Sequence, residues 1–166
     1  MLSPNADEAL SLLSITSPPT RSLIQESARK LLDYGVRDAV IIRSGAMGAF
    51  VLVRGSPKAW WVPAFWSSDD PEAEGKVIDV TGAGNAFLGG LSAGWELAAG
   101  VSGAEIVLEA ALHASVSASF TIEQYGLPTL DEGARFARVG MGETWNGDVP
   151  LRRLKLLKER VETVDV

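Results

Sequence analysis

Two hydrophobic rhythms run along the chain, and each predicts a different kind of element. From Asn5 to Leu13 the pattern is helical, with Leu10, Leu12 and Leu13 as its apolar positions and Pro4 placed to open the first turn. Ser17-Pro18-Pro19-Thr20 interrupts it. A second helix is predicted from about Ser22 to Tyr34, capped by Thr20 and offering Leu23, Ala28, Leu31 and Leu32 to a core, with Gly35 as its stop. Ala39-Val40-Ile41-Ile42 is then apolar without alternation, which reads as a strand covered on both faces. Ser44-Gly45-Ala46-Met47-Gly48 turns the chain, and Ala49 to Val53 returns as a second strand. Gly55-Ser56-Pro57 turns it again, leading to a third strand at Ala59-Trp60-Trp61-Val62.

The later half changes period. A polar stretch from Ser67 to Lys76 predicts a loop, and Val77-Ile78 reads as the end of a strand leading into a glycine-rich turn. Two long helices are expected at about 84–99 and 103–124. Phe87, Leu91 and Trp95 share a face of the first, while Ala110, Ala114 and Ala118 give the second a close-packing face. Residues 150–161 read as a docking helix, with Leu151, Leu154, Leu157 and Val161 on one side and Arg152, Lys155 and Lys158 on others. No internal repeat interrupts this order, and the class is α/β.

Composition narrows the picture. At 166 residues and 46% apolar the chain can build a real core, since a globular chain of this size buries roughly 70% of its unfolded surface. The net charge of −6 argues against a nucleic-acid footprint. With no cysteine and one histidine there is no thiolate chemistry and no multi-histidine zinc site. No run of 18 apolar residues predicts a membrane span. The start, read as native, carries no signal-peptide pattern, so a cytoplasmic protein is expected.

The chemistry concentrates in Asp79-Val80-Thr81-Gly82-Ala83-Gly84-Asn85-Ala86-Phe87. Small residues followed by a helix start suit an anion site, because the first amides of a helix have no internal acceptor and the helix dipole adds positive potential. The same three residues could serve only as a tight turn. The order around them adds specificity. Asp79, Thr81, Gly82, Ala83, Gly84, Phe87 and Gly90 resemble the C-terminal signature of the pfkB/ribokinase family of small-molecule kinases, while Val80 and Asn85 depart from it. Asn5-Ala6-Asp7-Glu8 is similar to that family's Asn-x-x-Glu motif. Arg43-Ser44-Gly45-Ala46-Met47-Gly48 resembles its Gly-x-x-Gly turn beside the nucleotide, and Ala114 to Gly126 resembles the helix and glycine beside the adenine. The likeness covers roughly residues 1–130 and extends to a divergent fungal branch.

The resemblance implies a three-layer α/β/α fold of the ribokinase type, present here as its C-terminal portion. Its reaction passes the γ-phosphate of ATP to a sugar or nucleoside hydroxyl. On that reading the backbone of Gly82, Ala83, Gly84 and Asn85 stabilises the phosphoryl group, and Gly45, Gly48, Thr81 and Ser115 line the nucleotide. Asn5 and Glu8 organise Mg2+ through water, and Asp79 helps hold K+. Two departures bear on it. Asn85 stands where the family has its base Asp, and a neutral carboxamide cannot usefully accept a proton. The matching motifs also fall in the later half of a chain about twice this size, which would place the sugar-binding residues and lid in a preceding half. Met1-Leu2-Ser3 then reads as the stub of a strand in a doubly wound sheet. The expected partners are a sugar or nucleoside for a full-length chain, and either a second copy or the preceding half for this one. A nucleotide-binding pseudokinase or interaction protein, and a truncated non-catalytic fragment, are the alternatives.

Plainer roles stand beside these. Asn5 and Glu8 suit a capped first helical turn. Asp79 could be a structural cap, Gly45 and Gly48 hairpin punctuation, and Ser115 a small residue for helix packing. His113 has no acid partner readable from spacing and is expected to be structural or exposed. Asp69-Asp70-Pro71-Glu72-Ala73-Glu74 lacks EF-hand spacing and reads as a solvated acidic loop. Trp60 and Trp61 are expected to pack rather than bind.

Overall fold

The computed structural model describes residues 1–67, 71–131 and 143–166. Asp69 and Asp70 of the acidic stretch lie outside them. Helices α1 (Ala6–Leu12) and α2 (Arg21–Asp33) precede strands β1 (Ala39–Arg43), β2 (Ala49–Val53) and β3 (Lys58–Val62). Helices α3 (Ala83–Leu97), α4 (Glu105–Thr121) and α5 (Pro150–Lys158) follow, and β4 (Glu162–Asp165) closes the order.

Continuous apolar runs form these strands because both sides of the sheet are covered. Ala39, Ile41, Ala49, Val51, Trp60 and Val62 enter one core with residues of α3, α4 and α5. The residues between them, Val40, Ile42, Phe50, Leu52, Ala59 and Trp61, enter a second core with α1 and α2. A side chain of this size contributes roughly 1.5–3 kcal/mol when fully buried, so neither face tolerates a polar residue. The result is helices, sheet and helices in three layers. Trp60 and Trp61 are both packing residues, on opposite faces, and the Trp61 ring lies 5.2 Å from Phe50.

The topology differs from a doubly wound parallel sheet. Strands run in the order β1-β2-β3-β4, and every neighbouring pair is antiparallel. Parallel pairing enters through isolated bridges, at Leu2 with Val40 and Asn5 with Arg43. Hydrogen bonds from Leu2 N to Ala39 O and from Ile41 N to Leu2 O, each 2.9 Å, make the first residues a strand-like edge as expected.

Other expectations need correcting. Pro4 lies outside α1; Asn5 is the N-cap, and the helix starts at Ala6. Val77-Ile78 forms no strand: the amides of Ile78 and Asp79 both donate to the Ile122 carbonyl at the end of α4, at 2.8 and 3.2 Å. Trp95 and Leu151 stay substantially exposed, whereas Phe87, Leu91, Leu154 and Leu157 are buried. The acidic tail residues Glu162 and Asp165 belong to β4, whose Val164 packs into the second core. Among its described residues the polar loop forms a 3-10 turn at Pro71–Ala73.

Candidate functional site

A cavity of about 440 Å³ lies where β1, its following turn, α3 and α4 converge. Asn5, Gly45, Gly48, Ala83, Gly84 and Ser115 line it together, although the sequence spreads them over more than a hundred positions. Thr81, Gly82 and Asn85 stand next to it without lining it, and Asn85 is exposed in the first turn of α3. Glu8 instead lines a neighbouring open groove with Leu2, Pro4 and Leu12.

The floor of the cavity is the start of α3. Gly82 caps this helix in the left-handed region, at φ +84°, without a side-chain hydrogen bond. The Ala83 amide donates to the Val80 carbonyl at 3.2 Å, and the Ala86 amide to the Gly82 carbonyl at 2.9 Å. Gly84 and Asn85 have no such backbone acceptor among the described residues, so they are the pair available to an anion. That narrows the expected set, which began at Gly82. Asp79 braces the approach: its Oδ1 accepts from the Thr81 amide at 2.9 Å. That backbone hydrogen bond, helped by a second from the Thr81 side chain, holds the Asp79 carboxyl below its ordinary range.

One wall is the turn after β1. Ser44 N donates to Gly48 O at 2.7 Å, and a 3-10 turn at Gly45–Met47 fills the loop. Gly48 has φ +87°, and a Cβ there would run into the Val62 carbonyl and come within 2.8 Å of the Ala64 amide. No other residue fits there without moving the backbone.

At the rim, Asn5 and Glu8 form a capping box. Glu8 N donates to Asn5 Oδ1 at 2.8 Å, and Asn5 N donates to Glu8 Oε2 at 2.7 Å. The plainer role of the Asn-x-x-Glu spacing is therefore realised. Glu8 Oε1 takes no part in the box, so one carboxylate oxygen remains for a water-held cation. Among the described residues no three acidic, histidine or cysteine side chains gather as a direct metal cage. Magnesium, which keeps several waters and binds through one or two carboxylates plus phosphate oxygens, fits such a donor set.

The opposite wall is aromatic and was not singled out by its sequence. Phe65, Trp66 and Ser119 line the cavity in front of Arg153, which is 2% exposed. Its guanidinium pairs with Glu123 at 2.7 Å and Asp148 at 2.8 Å, and donates to Ser119 Oγ at 3.0 Å. It also lies 3.6 Å from the Phe120 ring centroid. Trp66 Nε1 donates to Glu123 Oε1 at 2.7 Å, which ties the indole to the same cluster. Burial raises the Asp148 carboxyl, but hydrogen bonds from Arg153 and the Val149 amide, with the charges of Arg153 and Arg152, bring it below its usual range. The sequence carries little to single out Arg153, which stands beside Arg152 in one basic helix.

Comparisons with known proteins give the chain its family. Residues 1–131 match the model of the pfkB family carbohydrate kinases, and the chain belongs to that family. It is 31% identical to Protein MAK32 of Saccharomyces cerevisiae over 158 residues, covering 93% of this chain and 39% of that one. It is 38% identical to a ribokinase of Schizosaccharomyces pombe over 92 residues, 55% of this chain and 26% of that one. The structure of Arabidopsis thaliana ribokinase complexed with ribose and ATP superposes with a TM-score of 0.61 at 23% identity, covering 95% of this chain and 40% of that one. The chain thus spans about two fifths of MAK32 and of the Arabidopsis ribokinase, and about a quarter of the yeast ribokinase. Among the described residues no helix is long and apolar enough to cross a membrane.

Proposed function

We propose that this chain forms the Mg-ATP half of a cytoplasmic carbohydrate kinase, one whose reaction moves the γ-phosphate of ATP to a sugar or nucleoside hydroxyl. The observation that carries the proposal is the cavity itself, which gathers Asn5, Gly45, Gly48, Ala83, Gly84 and Ser115 from four separate motifs. The Gly84 and Asn85 amides receive phosphate oxygens at the start of α3, where the dipole favours negative charge. Gly45, Gly48 and Ser115 border the nucleotide, with Thr81 and Gly82 shaping the turn beneath it. Asn5 and Glu8 hold magnesium through water, and magnesium when bound neutralises phosphate charge. Asp79 is the residue that would hold a monovalent cation; the family resemblance supports this, while its Oδ1 is already used in the turn. Sugar or nucleoside binding is assigned to a longer protein or to a partner.

Asn85 favours a second reading, a nucleotide-binding pseudokinase. A general base contributes typically 10²–10⁴-fold, about 3–5 kcal/mol of barrier, and phosphoryl transfer rests otherwise on positioning and electrostatics. Phosphate binding should survive the carboxamide, since it uses the backbone. Thermal unfolding with Mg-ATP at a hundredfold excess over its dissociation constant should gain roughly 2.7 kcal/mol of stability. A transition unmoved by Mg-ATP overturns the nucleotide assignment. Asn85→Asp, made in a longer chain that carries the sugar-binding half and assayed against a sugar panel, should raise turnover by two orders of magnitude or more; no gain in a protein that binds nucleotide favours the pseudokinase.

A further inference from the structure

We propose that Arg43 is a direct phosphate contact of this cavity, a cationic clamp that works with the first amides of α3. The inference rests on the nucleotide reading above and adds a residue to it. Arg43 ends β1 and lines the cavity beside Asn5 and Gly84. Its side chain is 18% exposed, yet its buried Nε has no hydrogen-bond partner among the described residues. Nη2 reaches the Ser3 carbonyl at 3.2 Å and Glu8 Oε2 at 3.5 Å. The second contact is long, and that oxygen already accepts from the Asn5 amide. The guanidinium is thus held in place but poorly neutralised.

Gly84 gives the second observation. A Cβ on Gly84 would lie 2.5 Å from Nη1, so the guanidinium rests in the space that a glycine leaves open. This sets a cation against the positive end of a 15-residue helix, where the dipole disfavours it. Asn85, in the same turn, brings no negative charge. What completes this arrangement is an anion that both the guanidinium and the amides can bind. A guanidinium offers paired N–H donors matched to phosphate oxygens, and it carries its charge at every physiological pH. A nucleotide lying in the cavity with its phosphates toward Gly84 meets both sets of donors.

Three probes test this by calorimetry: ADP, adenosine and inorganic tripolyphosphate, each with wild type, Arg43→Gln and Gly84→Ala. Arg43→Gln should weaken ADP and tripolyphosphate tenfold or more while leaving adenosine unchanged. Gly84→Ala keeps every charge but pushes the guanidinium aside, and should weaken the same two ligands. Arg43→Lys should recover part of the loss, and the salt dependence of ADP binding should flatten in Arg43→Gln. Equal losses for ADP and adenosine, or none for ADP, would overturn the clamp, because a structural arginine would not separate ligands by their phosphates. If Arg43→Gln fails to fold, Arg43→Lys decides: it leaves the α3 amides untouched and should weaken ADP and tripolyphosphate but not adenosine. Wild type that binds tripolyphosphate through Arg43 but neither ADP nor adenosine would remove the nucleotide reading and keep the clamp. Wild type that binds none of the three sinks both.

Discussion

Arg153 and His113 are the residues whose settings most constrain how the molecule responds to change. The Arg153 guanidinium is buried between Glu123 and Asp148, and removing one partner of a buried ion pair costs about 3–5 kcal/mol because the remaining charges lose their counter-ion. Arg153→Met should therefore lower the denaturation midpoint by an amount of that order and release Trp66, read as a shift in tryptophan emission. Little in the sequence told Arg153 from Arg152, since both occupy a basic helix. Burial came from Phe65, Phe120 and Glu123, supplied by other parts of the chain, with Asp148 just before the start of the same helix. His113 is half-buried, and burial is the main reason its pKa falls below the ordinary value; Glu109 pulls it back and Lys158 lowers it further. A depressed folded-state pKa means the folded form favours neutral imidazole. Its stabilising contribution is full above the unfolded value of about 6.5 and is lost as pH falls through the folded one. Melting temperature should drop between pH 7 and pH 5, and His113→Gln should remove that part of the drop.

Among the elements, the α3–α4 contact is set by absent side chains. A Cβ on Gly94 would lie 2.7 Å from His113 Cβ and 3.0 Å from Ala110 Cα, and one on Gly90 would lie 2.7 Å from Ser117 Cβ. Helix propensity favours alanine over glycine by about 1 kcal/mol, but overpacking costs typically 1–3 kcal/mol. Gly94→Ala should thus be destabilising, by up to about 2 kcal/mol in a denaturant titration; a stabilised variant would mean that the helices can separate freely. The alanine stripe at Ala110 and Ala114 announced this close approach, and both residues are fully buried. Caps were equally readable: Thr20 accepts from the Leu23 amide at 3.3 Å, as a helix start of that composition requires. Strand ends were not. Val77-Ile78 has strand-forming residues, yet the Ile78 amide, with that of Asp79, donates to the end of α4. Glu162 to Asp165 has few apolar residues, yet β3 supplies a pairing edge and Arg21 an ion pair to Glu162 at 2.8 Å.

At the scale of the molecule, sequence and structure contributed different kinds of information. Local chemistry was determined by the chain alone: the two-faced apolar runs, the Asn5–Glu8 cap, the turns at Gly48 and Gly82, and the order of the four motifs. Each depends on neighbours within a few residues, where side-chain period and backbone conformation are fixed by covalent geometry. The tertiary structure decided which distant groups meet. It set the strands antiparallel, brought Asn5, Gly48, Gly84 and Ser115 to one cavity, and placed Glu8 in the adjoining groove. It also set the Arg43 guanidinium against Gly84 and buried Arg153 between two carboxylates. Coulomb energy and close packing depend on separations between elements, and those distances exist only once both cores have closed on the sheet.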